Sequence, residues 1–133
     1  MRHLVFCLAV SLAPLPAQAL EVALPSGKVA ALYETILDQD AGIGRFRFTM
    51  DALQTDPEAL TSGPERVRDL TFLCETTALP ALRALDPERG AEMAAVVISV
   101  AARQTTFGDT TPDVAQFFEA FVIEGDHCIW DEF

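Results

Sequence analysis

Phe117-Phe118-Glu119-Ala120-Phe121-Val122-Ile123-Glu124-Gly125-Asp126-His127-Cys128-Ile129-Trp130 is the stretch that decides the fold. Its first half permits two readings. Val114, Phe117, Phe118 and Phe121 recur at helical spacing, whereas residues 117–123 also read as a buried strand. The Gly125-Asp126 pair decides between them, because two apolar runs joined by such a pair form a β-hairpin. We therefore expect at most one helical turn over residues 111–115, then strand, turn and strand.

Working outward, residues 95–101 are a β-branched apolar run, the signature of a central strand. Before them, Ser62-Gly63-Pro64-Glu65 looks like a helix start, with Ser as cap, Pro early and Glu three residues after the Ser. Val67, Leu70, Leu73, Cys74 and Ala78 then follow at helical spacing. Pro80 lacks an amide donor and crowds the preceding turn, so the helix should end or kink there. Residues 86–90 read as a turn, and residues 51–63 as a loop that could hold one helical turn at Asp56-Pro57-Glu58. In the N-terminal part, Phe46, Phe48 and Met50 alternate with Arg45, Arg47 and Thr49, which marks a half-buried strand. Residues 20–24 and 29–37 supply two more extended segments, separated by the turn clusters at 25–28 and 38–42. The expected architecture is α+β, a mostly antiparallel sheet with one main helix on one face, in the order ββ(β)-α-βββ.

The N-terminus adds a compartment. Met1-Arg2-His3 is basic, residues 4–15 are mostly apolar, and Ala17-Gln18-Ala19 is a small-x-small signal, together a secretory signal peptide spanning residues 1–19. The apolar run is too short and too interrupted by Pro to span a bilayer. Cys7 lies inside that run, so residues 20–133 form a single domain with two cysteines, Cys74 and Cys128. Cys74 falls on the apolar helix face, and Cys128 falls on the last strand beside the core. A bridge between them staples helix to sheet, and the chain-entropy relation gives such a loop roughly 4 kcal/mol. The chain has no Asn and hence no N-glycosylation sequon, which fits a periplasmic or secreted bacterial protein.

Charge narrows the partners. With 9 Lys and Arg against 20 Asp and Glu, the formal net charge is −11, which disfavours nucleic acid and anionic lipid surfaces. A protein or peptide partner is compatible with it, and the oligomeric state is not encoded in any pattern. No nucleophile elbow, phosphate loop or zinc motif occurs. His127 adjoins Cys128, but neighbours on a strand point to opposite faces, so a dyad is not expected. Asp38-Gln39-Asp40-Ala41-Gly42 resembles the start of a calcium loop, yet its Gly is early and Thr49 stands where the bidentate Glu belongs. Asp109 with Asp113, and Glu124 with Asp126, read as solvated turn carboxylates. No catalytic, cofactor or metal residue is expected. The aromatic set Phe117, Phe118, Phe121, Trp130 and Phe133 reads as core, although any share left on an open sheet face would make a peptide or lipid groove.

Leu73-Cys74-Glu75, Ala78-Leu79-Pro80, Val97-Ile98-Ser99-Val100 with Arg103, Phe107-Gly108, Pro112, Gln116-Phe117-Phe118-Glu119 and Cys128-Ile129-Trp130 resemble a family of short exported alphaproteobacterial proteins known only as a domain of unknown function. The resemblance implies that both cysteines belong to the family pattern, and it carries no catalytic residue, substrate or cofactor. The expected role is a small exported, disulfide-stabilised binding or accessory module. The alternative is a small carboxylate-based hydrolase or a divalent-metal-binding protein.

Overall fold

Six strands form one sheet in chain order, β1-β2-β3-β4-β5-β6, in a computed structural model that describes residues 11–13, 20–60, 62–85, 87–88 and 93–132. The strands are β1 (Leu20–Ala23), β2 (Val29–Asp38), β3 (Ile43–Thr49), β4 (Ala95–Ala101), β5 (Gln116–Glu124) and β6 (His127–Asp131). Every neighbouring pair is antiparallel except β3–β4, which is parallel. A parallel pair needs a long crossover, and residues 50–94 supply it with the helical layer. The fold is α+β, as the patterning implies.

Period-2 alternation sets which face is buried. Phe46, Phe48 and Met50 from β3 and its end, and Val96, Ile98 and Val100 from β4, are fully buried on the inner face. Leu53, Leu60, Leu70, Leu73, Cys74 and Ala78 cover them from the crossover. The β5–β6 hairpin closes with a two-residue loop, Gly125 taking φ 59° between the paired Glu124 and His127. Gly at the first central position is what a type II′ turn requires.

The crossover departs from expectation in three places. Residues 51–63 hold a one-turn helix, α1 (Ala52–Thr55), just before the Asp56-Pro57-Glu58 position. In α2 (Gly63–Leu73), Ser62 is the N-cap residue but makes no side-chain cap bond. Glu65 does not return to close a capping box, because its carboxylate binds Lys28 Nζ at 2.9 Å instead. Pro80 does not end the helix. The chain widens into a π segment (Cys74–Ala78) and continues as α3 (Leu79–Arg83), Pro80 lying in its first turn. The Leu79 amide reaches back to the Cys74 carbonyl, an i→i−5 bond. The wider turn gives the Pro80 ring room where a tight α-turn would clash. Of the turn expected at 86–90, residues 86, 89 and 90 lie outside the described residues, as do Cys7, Phe133 and most of residues 1–19.

Helix and sheet are fastened at both flanks of the layer. On one flank Cys74 is bonded to Cys128, 54 positions apart, with a Cα–Cα distance of 6.2 Å. On the other, the β1–β2 turn is held by α2. Asp69 is fully buried and accepts bonds from the Ser26 amide (3.1 Å) and the Ser26 hydroxyl (2.5 Å). One helical turn earlier stands the Lys28–Glu65 ion pair. The Lys28 hydrogen bond, and then its charge, holds the Glu65 carboxyl below its ordinary pKa, with Arg68 adding to the effect. A lowered carboxyl pKa contributes stability above the unfolded-chain value, and that contribution is lost as pH falls through the folded value. The pair is half-buried and still open to water, so the contribution is small. An NMR titration should place the Glu65 midpoint higher in Lys28→Ala than in the parent. Equal midpoints would remove Lys28 as the cause.

Candidate functional site

The helical layer covers only one face of the sheet. On the other face, a groove of about 260 Å³ opens between β3, β4 and β5 on one side and residues 105–109 on the other. Its polar members are Arg45 and Arg47 from β3, Ser99 from β4, Gln116 from β5, and Thr105, Thr106 and Asp109 from the loop. Phe107 and Phe118 are its apolar walls, 53% and 62% exposed.

Local backbone geometry builds this site. Between Leu32 and Glu34 the β2–β3 register shifts, so Tyr33 is an extra residue in the ladder. Such a bulge turns two consecutive side chains toward one partner. Here that partner is Arg47. Its guanidinium pairs with Glu34 and lies 5.2 Å from the Tyr33 ring centroid. Arg47 also donates to Thr105 Oγ1 at 2.8 Å and faces the Phe107 ring at 5.6 Å, tying the loop onto the sheet. Only 8% of Arg47 is exposed, so it is a structural clasp rather than a surface charge. The loop itself turns at Gly108, φ 87°, with the Asp109 amide donating to the Thr106 carbonyl. That is a type II turn, which needs Gly at its third position.

Arg45 is placed differently. Its guanidinium carbon is 5.5 Å from the Phe107 ring centroid, and the nearest ion-pair partner, Asp38, is 4.0 Å away. A pair at that separation beside water is weak. The guanidinium therefore keeps hydrogen-bonding capacity at the groove while its flat face rests on an aromatic ring.

An apolar stripe leaves the groove. Phe118 and Val122 lie four residues apart on the same face of β5, and Val122 pairs across strands with Ile129 of β6. Val122 is 42% and Ile129 45% exposed, and among the described residues no element covers the stripe as it reaches the sheet edge.

The residues singled out by sequence fall elsewhere. Cys74 and Cys128 meet as the disulfide beneath the helix, on the opposite face from the groove. His127 points to solvent with Nδ1 3.4 Å from a Glu75 oxygen, and Cys128, its neighbour, is buried and bonded. Residues 38–42 form the β2–β3 hairpin loop, where Asp38 Oδ1 accepts the Ala41 amide. Asp113 lies 3.7 Å from Arg103 and Asp126 2.6 Å from Arg83, while Asp109 lies on the groove wall. Among the described residues no three His, Cys, Asp or Glu side chains converge as metal ligands, and no helix is long and apolar enough to cross a membrane.

The aromatic set expected in the core is divided by the sheet. Phe121 is fully buried and Phe117 packs against the core, but Phe118 faces outward. Trp130 is 40% exposed and donates Nε1–H to Glu119 Oε2 at 2.9 Å. The other Glu119 oxygen accepts from Arg66 Nε at 2.8 Å, so a polar triad lies between α2 and the β5–β6 edge.

Reasoning from sequence missed the groove because Arg45 and Arg47 read as an ordinary solvated face. Ser99 inside an otherwise apolar central strand, and Phe107-Gly108 within a polar loop, were the available signals.

A family model described as "Family of unknown function (DUF6497)" matches residues 7–133. No curated protein and no solved structure matches the chain.

Proposed function

The chain belongs to that family of unknown function, so its role has to come from its own residues, and we propose an exported alphaproteobacterial binding module, without catalysis, that holds its ligand on the uncovered sheet face. The observation that carries this reading is the run of exposed apolar side chains Phe107, Phe118, Val122 and Ile129 beside the groove. Scattered single apolar residues on a surface need no explanation, whereas a contiguous patch rimmed by polar groups marks an interaction site. Export is supported by the tripartite N-terminal pattern and by the Cys74–Cys128 bond.

The face is tested with an amphiphilic fluorescent dye, anilinonaphthalene sulfonate. The folded, oxidised domain should enhance its emission saturably. Phe118→Ser should reduce the enhancement at least about threefold while leaving the melting temperature within a few degrees, since an exposed substitution perturbs stability by only about 0.5 kcal/mol. Equal enhancement by parent and variant would overturn the reading.

A further inference from the structure

We infer that the groove takes the head of an aliphatic monocarboxylate, with Arg45 binding the carboxylate and the chain lying along Phe118, Val122 and Ile129 (this rests on the outer face being the binding surface). Charge complementarity selects the head group. The chain carries a net charge of −11, yet the groove concentrates two guanidinium groups. Arg47 is engaged by Glu34 and Thr105, which leaves Arg45, 4.0 Å from its nearest carboxylate, to meet an incoming anion. A planar guanidinium matches a carboxylate in two parallel hydrogen bonds, and the Phe107 ring beside it lowers local exposure to water. Ser99 and Gln116 lie on the same groove wall and offer neutral donors.

Volume and surroundings select the tail. At about 260 Å³ the groove falls below the usual 300–1,000 Å³ of sites enclosing a whole ligand, so it holds a head and a few carbons. The rest must run along the stripe, which continues across the Val122–Ile129 pair. A hydrocarbon chain buries that surface without polar groups to satisfy. A peptide would lay an amide over side chains that offer it no partner.

Two carboxylates oppose the anion: Asp38, 4.0 Å from the Arg45 guanidinium, and Asp109. Asp109 lies on the groove wall, and its carboxylate repels a bound head group. Removing that charge should therefore tighten binding of the acid alone.

The test is equilibrium dialysis of radiolabelled decanoate and 1-decanol, below micellar concentration, against the oxidised domain. Decanoate should bind once per chain and at least about tenfold more tightly than decanol. Arg45→Gln should abolish the difference, and Asp109→Asn should strengthen decanoate about threefold without changing decanol. Equal binding of acid and alcohol by the parent would overturn the head-group assignment while leaving the binding face intact. Retention of neither, with dye binding still lost in Phe118→Ser, would remove the aliphatic ligand but not the face. Retention of neither and no dye binding would remove both. A dimer in sedimentation that Phe118→Arg converts to monomer would also overturn the proposal, because the face would then belong to a second copy.

Discussion

Replacing Cys74 and Cys128 together by alanine should lower the unfolding free energy by about 4 kcal/mol and the melting temperature by on the order of 15 °C. The bond joins positions 54 apart, so it removes much of the freedom of the unfolded chain. It also has a local effect. The edge strand β6 pairs only with β5 in the sheet, and the sulfur bridge ties it covalently to the helix. Without the bridge, amides of β6 should exchange faster relative to those of β3 and β4. Both cysteines are buried, so the alanines leave a small void between helix and sheet, which adds to the loss. Reducing the parent with a thiol should reproduce most of the shift. A double variant that melts within about 3 °C of the parent would show that the bridge contributes little.

Asp69→Ala is the second large effect, about 2–3 kcal/mol. Asp69 is fully buried and accepts two bonds from Ser26, one from the backbone amide and one from the hydroxyl. Hydrogen bonds to a carboxylate are worth about 1.5–3 kcal/mol each, and removing the acceptor leaves the Ser26 amide without this partner. The higher helix propensity of alanine returns only about 0.5 kcal/mol. Ser26→Ala removes the hydroxyl bond to Asp69 and the long bond the hydroxyl accepts from the Lys28 amide at 3.4 Å, and should cost about 1.5 kcal/mol. The double variant should fall short of the sum, since both replacements break one contact. Chemical denaturation of the four proteins measures the coupling. Additive losses would mean that the two residues act separately.

Asp69 also shows what patterning could and could not supply. The apolar stripe of the helix was legible because Leu70, Leu73, Cys74 and Ala78 repeat at 3.6-residue spacing, and the strands were legible because the buried face of β3 alternates cleanly. Asp69 sits four residues before Leu73, hence on the edge of the same stripe, and a carboxylate there signals a buried partner. Its partner, Ser26, is 43 positions away, and periodicity carries no information at that range. The break expected at Pro80 takes the form of a π turn just before it, a form no residue type announces, and that turn absorbs the ring so the helical path goes on. The disulfide was readable from the count and placement of two cysteines. The groove was not, because the alternation that assigns Arg45 and Arg47 to an outer face says nothing of a bulge at Tyr33 or of a loop folding back over them.

The two fastenings of the helix have a mechanical consequence. The described chain enters at one edge of the sheet, β1, and leaves at the other, β6. Tension on those ends acts on the edge strands, which peel from their neighbours a few hydrogen bonds at a time. At the trailing edge peeling stops at Cys128, because a covalent bond carries the load to the helix. At the leading edge it meets the Ser26–Asp69 bonds, the Lys28–Glu65 pair and the buried Leu24, none of them a covalent tie. The domain therefore yields from its N-terminal side. While oxidised, it withholds the stretch between the cysteines, about 180 Å of extended chain, from any pull.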